Sequence, residues 1–162
     1  MKKYFLTGCI FALSMIPISA AQQNGKSRGV MTKAEEVKPI KWYVDYDEAQ
    51  AVAKQANKPL FLFFTGSDWC GWCKKMDQEV FTSSYFSQAV GEDFIFVEVD
   101  FPMQKTLTAN QQKQNNDLKQ KYGVTGYPTM IILDPNGNFI AETSYQPGGP
   151  KAYADYLKQL LN

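Results

Sequence analysis

Two cysteines three residues apart, Cys70 and Cys73, are the side chains of this chain best suited to chemistry, in the run Trp69-Cys70-Gly71-Trp72-Cys73-Lys74-Lys75. A Cys-x-x-Cys pair can be half of a zinc site, a short cross-link, a redox couple or a clamp for a soft metal. Structural zinc needs four ligands. The chain has no histidine and only three cysteines, the third being Cys9 near the amino end, so that set cannot be completed. A purely structural disulfide normally closes a longer loop, because linking residues so near each other removes little entropy from the unfolded chain. Thiol–disulfide exchange is therefore favoured. A Cu(I) carrier using both thiolates is the rival from another class, although no His or Met ligand is evident beside Cys70 and Met76 reads as core. Without histidine there is also no Ser-His-Asp triad and no Cys-His nucleophile pair. Neither a cofactor nor a metal is expected.

The elements around the pair supply its context. Residues 60–64 are an unbroken apolar and aromatic run of strand length, suited to a sheet covered on both faces. Thr65-Gly66-Ser67-Asp68 leaves that strand, and the cysteines follow at the start of a helical pattern with Met76, Val80 and Phe81 on one side. Cys70 is thus expected at the amino end of a helix, where unpaired N–H groups and the helix dipole stabilise a thiolate. Lys74 and Lys75, one turn along, would add positive potential. Cys73 lies one turn deeper, near enough to attack a mixed disulfide formed on Cys70. This spacing gives Cys70 the attacking role and Cys73 the resolving one.

Before the site, residues 42–44 read as a short strand. Asp45 or Asp47 then caps a helix carrying Ala49, Val52, Ala53 and Ala56, which Asn57-Lys58-Pro59 ends. Beyond it come a helix at 84–90 and a β-prone strand at 94–100. Residues 101–116, rich in Gln, Asn, Lys and Thr, read as a long solvated loop or an exposed helix, whose length points to a partner contact. A short helix at 117–122 ends at Gly123, and a strand at 129–133 turns through Asp134-Pro135-Asn136-Gly137 into a hairpin partner at 139–145. Gly148-Gly149-Pro150 opens a last helix with Tyr153, Tyr156, Leu157 and Leu160 on its apolar face. The remaining Phe, Tyr and Met residues are assigned to the core. The fold class is α/β, a central mixed sheet flanked by helices.

Residues 1–20 open with Lys2 and Lys3, continue as a mostly apolar run and close on small residues around Ala20, the pattern of a secretory signal peptide. An uncleaved membrane anchor is the alternative. Residues 21–41 read as a polar leader and 42–162 as the folded domain. Cleavage near Ala20 would remove Cys9 and leave only the Cys70 and Cys73 pair. With 17 basic and 16 acidic residues interspersed, the chain has no basic stripe and nucleic acid is not expected as a partner. A monomer is expected.

The run from Trp69 to Lys74 resembles the active site of the thioredoxin superfamily, whose commonest form has Pro where Trp72 stands. A second run, Gly123-Val124-Thr125-Gly126-Tyr127-Pro128-Thr129, resembles that family's cis-proline loop. The resemblance covers residues 42–162. It implies a thioredoxin fold, a cis Tyr127–Pro128 bond, and backbone groups of Tyr127 and Pro128 beside the cysteines, offered to an extended substrate strand. X-Pro is also the one place where a cis bond is cheap. Residues 67–76 are similar to exported thioredoxin-like reductases, including the carboxyl-terminal domain of DsbD electron transporters. This implies a periplasmic enzyme that reduces disulfide-containing exported proteins and is reset by a membrane electron donor of DsbD type. An oxidase or isomerase would use the same site in other directions. Trp69 and Trp72 are candidates to pack against substrate around the sulfurs, partial burial against the first helix being the other reading. One departure matters: thioredoxins carry a buried Asp on the strand before the active site, thought to relay a proton to the resolving cysteine. Residues 61–64 contain no acid, so Glu98 and Asp68 are the candidates to replace it, with water as the alternative.

Overall fold

The computed structural model describes residues 37–161. The expected signal peptide and most of the polar leader lie outside the described residues. Among the described residues, no helix is long and apolar enough to cross a membrane.

Strands β1 (Trp42–Tyr43), β2 (Leu60–Thr65), β3 (Ile95–Asp100), β4 (Thr129–Leu133) and β5 (Phe139–Thr143) form one sheet in the order β1-β3-β2-β4-β5. The β1–β3 and β2–β3 pairs are parallel, and the β2–β4 and β4–β5 pairs antiparallel. The mixed sheet expected from the sequence is present. Successive strand residues face opposite sides, so β2, buried along its whole length, serves two cores. Phe61 and Phe63 join Phe96, Met130 and Ile132 on one face, against residues of helix α2 (Gly71–Met76), helix α3 (Ser84–Val90) and helix α5 (Gly149–Leu160). Leu60, Leu62 and Phe64 join Val97, Val99, Ile131 and Leu133 on the other, against Ala49 and Ala53 of helix α1 (Tyr46–Ala56) and Leu118 of helix α4 (Ala109–Lys121). Trp42 lies with ring centroids 5.2 to 6.3 Å from Phe61, Phe63, Phe81 and Phe96, tying β1 to the first core.

Local choices agree with this layout. Asp45 caps α1, accepting from the Glu48 amide at 2.9 Å, and Asn57 ends it in the left-handed region. After α2 the backbone widens into a π-helical turn, Asp77–Phe81, closed by the Thr82 amide on the Asp77 carbonyl at 3.0 Å. The hairpin turn is held by the Asp134 carboxylate, which accepts from the amides of Asn136 and Asn138, each at 2.8 Å.

Two expectations are corrected. The Gln- and Asn-rich stretch is not separate from the short helix after it: α4 runs unbroken from Ala109 to Lys121, leaving a loop only at 101–108. Its start is a capping box, with Thr108 and Gln111 each accepting from the other's amide at 3.2 Å. Polar side chains also dock this helix: Gln114 bonds the backbone at Val44 and Tyr46, and buried Asn115 donates to the Asp100 carbonyl. Nor are all remaining aromatic and Met side chains core, since Tyr85, Met103 and Phe139 are exposed. If Thr108 nucleates α4, Thr108→Ala should cost about 1 kcal/mol in urea unfolding, whereas Thr106→Ala in the preceding loop should change stability by less than about 0.5 kcal/mol.

Candidate active site

The parallel pairing of β2 and β3 ends on Thr65 and Asp100, and antiparallel β4 begins beside them with Thr129 opposite Phe64. Three connections therefore meet at one end of the sheet: the turn after β2, the loop after β3 and the segment before β4. The turn after β2 closes on Gly66, whose carbonyl accepts from the amides of Trp69 at 3.1 Å and Cys70 at 2.8 Å. Cys70 is the N-cap of α2 in an extended conformation, and its sulfur accepts from the Cys73 amide at 3.2 Å. Cys70 and Cys73 are joined as a disulfide with Cα atoms 5.2 Å apart. Both residues are buried, Cys70 at 6% exposure and Cys73 at 2%.

The lysines next to the pair have unequal surroundings. Lys75 forms an ion pair with Glu79 at 2.6 Å, which offsets its charge. Lys74 donates to the Asp68 carbonyl at 2.8 Å. The positive potential expected from both is thus carried mainly by Lys74.

Cys73 lines a cavity of about 260 Å³ together with Trp42, Phe63, Thr65, Ser67, Lys74, Asp77 and Glu98. Two carboxyls share this space with the buried sulfur. Burial, followed by the charge of Asp100, holds Glu98 above the ordinary carboxylate range; Lys105 opposes that shift and Asp77 adds to it. Burial also raises Asp77. Glu98 stands opposite Phe63 in the β2–β3 register, on the strand next to the one where the superfamily's acid is expected. Asp77 is absent from the sequence-based candidates. The signal available for it was its spacing, one helical turn after Cys73 and therefore on the same helix face.

Asp68 is occupied elsewhere. Its carboxylate accepts from the amides of Met103 at 2.9 Å, Gln104 at 2.7 Å and Lys105 at 3.2 Å. These bonds, the Met103 amide first, hold it below the ordinary carboxylate range. It is a half-buried, ionised anchor for the loop after β3, and it does not line the cavity around Cys73.

The aromatic candidates divide similarly. Trp69, 40% exposed, donates its indole N–H to the Phe101 carbonyl at 2.8 Å and meets the Tyr127 ring edge-on at 5.9 Å. Tyr127 stacks on Phe101 at 5.3 Å, and the Lys119 ammonium lies 5.2 and 5.1 Å from the Phe101 and Tyr127 ring centres. Trp72 is 59% exposed and lies 5.3 Å from the Tyr145 ring, whose hydroxyl donates to Glu79. Trp72 is thus partly covered, with the Tyr145 ring as its aromatic neighbour. The Tyr127–Pro128 bond is cis, Pro128 is buried, and the Thr129 hydroxyl donates to the Gly126 carbonyl at 2.9 Å.

Residues 46–161 match a family model described as a thioredoxin-like domain. The chain is 37% identical over 163 residues to the disulfide bond reductase DsbH of Chlamydia pneumoniae, covering 98% of each. It superposes on a solved DsbH oxidoreductase structure with a TM-score of 0.73 and 40% identity, over 77% of this chain and 86% of that one. It is also 28% identical over 140 residues to the thiol:disulfide interchange protein DsbD of Yersinia pestis, a match spanning 86% of this chain and 21% of that protein.

The raised Glu98 carboxyl has a thermodynamic consequence. Below its ordinary value of 4.5, folded and unfolded chains both hold the proton and nothing is lost. As pH rises through that value the unfolded chain ionises first, so native stability falls until the folded group also ionises. Glu98→Gln removes this loss. In the oxidised protein, the melting temperature of Glu98→Gln relative to wild type should therefore increase between about pH 4 and about pH 8. A difference independent of pH would mean that Glu98 titrates normally.

Proposed function

The chain belongs to the thioredoxin-like family of thiol–disulfide oxidoreductases, and on that premise we propose that it is an exported reductase of protein disulfides acting through Cys70 and Cys73. The observation that carries this reading is the cysteine geometry: one sulfur caps a helix and accepts a backbone N–H, and the other is buried one turn behind it beside two carboxyls.

In the reduced form, the Cys70 thiolate would be stabilised by the Cys73 amide and by the amino end of α2. It attacks one sulfur of a substrate disulfide. The substrate S–S bond breaks, a mixed disulfide forms on Cys70, and the first substrate sulfur leaves as a thiolate and takes a proton. Cys73 then gives up its proton and attacks the Cys70 sulfur. The Cys70–Cys73 disulfide forms, the second substrate thiol is released, and two electrons have passed from enzyme to substrate. Glu98 is the group we assign to receive the Cys73 proton, with Asp77 beside it. A raised carboxyl is closer in proton affinity to the thiol it must serve than an ordinary one. Trp69 and Trp72 would flank the substrate sulfur, and the backbone at Tyr127 and Pro128 would meet the extended chain on either side of it.

The reducing direction is supported by the name of the similar disulfide bond reductase DsbH. Export is supported by the signal-peptide pattern of residues 1–20. In an oxidising compartment the enzyme would need continual resupply of electrons, and a membrane donor of DsbD type fits that need.

With oxidised insulin as substrate, Cys73→Ser should accumulate a mixed disulfide through Cys70, Cys70→Ser should accumulate none, and both should lose turnover. Glu98→Gln should slow resolution of the mixed disulfide about tenfold near neutral pH. Trapping by Cys70→Ser instead would reverse the two roles.

A further inference from the structure

The carboxylate of Asp68 does not serve the cavity around Cys73, yet it belongs to the turn that delivers Cys70. It gathers three consecutive amides of a loop more than thirty residues away, those of Met103, Gln104 and Lys105. The same loop is fastened three more times to the same turn. The Phe101 amide donates to the Thr65 carbonyl at 2.9 Å, the Trp69 indole donates to the Phe101 carbonyl at 2.8 Å, and the Lys105 ammonium donates to the Ser67 hydroxyl at 3.2 Å. Ser67 is held in turn by both oxygens of Asp100, at 2.8 and 2.6 Å. A loop tied this closely has little freedom of its own, but at its centre Met103 is 74% exposed, the most exposed large apolar side chain among the described residues. Burying that side chain would be favourable, and the tethers fix the backbone that carries it beside the cysteine turn.

We propose that Asp68 is a positioning residue that fixes the 101–105 loop beside the cysteine turn, so that Met103 contacts an apolar side chain of a polypeptide flanking the disulfide under exchange. The occupant is an extended protein segment, because a small disulfide reaching Cys70 has no group that extends to the loop. A flexible, polarisable thioether suits a contact that must accept different side chains. The contact contributes to recognition of macromolecular disulfides and leaves the thiol chemistry to Cys70 and Cys73. It rests on the reading of that pair as the exchange site.

The test compares two substrates, oxidised insulin and hydroxyethyl disulfide, with dithiothreitol resetting the full mature enzyme. For Met103→Ser and for Asp68→Asn, kcat/KM on insulin should fall about five- to tenfold relative to kcat/KM on hydroxyethyl disulfide, chiefly through KM. Hydrogen exchange should show the amides of residues 103–105 opening in Asp68→Asn and staying protected in Met103→Ser. Equal changes on both substrates would overturn the proposal, as would an unchanged KM for insulin in Met103→Ser. Failure of wild type to turn over either substrate would instead sink the underlying assignment of the cysteine pair, so the two failures are distinguishable.

Discussion

Gly66 closes the turn on which the rest of the site depends. Its carbonyl takes the amides of both Trp69 and Cys70, bringing the chain from the end of β2 to the start of α2 across five residues. A Cβ at this position would lie 2.4 Å from the Trp69 ring, closer than any side chain can tolerate, so the indole can lie across the turn only because residue 66 has none. With the turn set, Trp69 reaches Phe101, Asp68 faces the amides beyond it, and Cys70 is left in the extended conformation that an N-cap requires. Each of these contacts ties the cysteine turn to the loop after β3.

The surroundings of Cys73 combine two opposing effects. A buried thiol resists ionisation, which protects it but slows its attack. Burying a carboxyl beside it raises the proton affinity of that carboxyl as well, at a cost to native stability above the ordinary carboxylate range. The protein keeps Glu98 in a core strand in spite of that cost. The aromatic packing of Trp42, Phe61, Phe63 and Phe81 on one face of the sheet beside the cavity works against that cost. The acid lies on β3, where superfamily members are expected to place one on β2. The cavity rather than the strand is therefore the feature to compare.

Much of this was legible in the residues, for identifiable physical reasons. Unbroken apolar runs mark β2 and β4 because both lie between helices, and Cys70 reads as a cap because a strand and a turn precede it. The start of α4 was harder to see. Its Gln and Asn side chains look like solvated loop, and the information that makes them helical lies in Thr108 and Gln111 at capping-box spacing and in Asn115 bonding across to β3. Asp68 resembled a proton relay because it is an acid near a cysteine. Its partners are three amides distant in sequence, which no local pattern encodes. Asp77 sat among the polar residues of an amphipathic helix, and only the fold shows that its face opens on the cavity with Cys73.

The central claim is that Cys70 and Cys73 form a couple poised to give electrons away. Its most direct test is the equilibrium reduction potential of the purified mature protein in a series of dithiothreitol or glutathione buffers. A value at or below about −230 mV, toward thioredoxin, is the expected result and fits a reductase that depends on a membrane donor. A value near −120 mV, toward DsbA, would contradict the account and make the same two sulfurs the site of an oxidase.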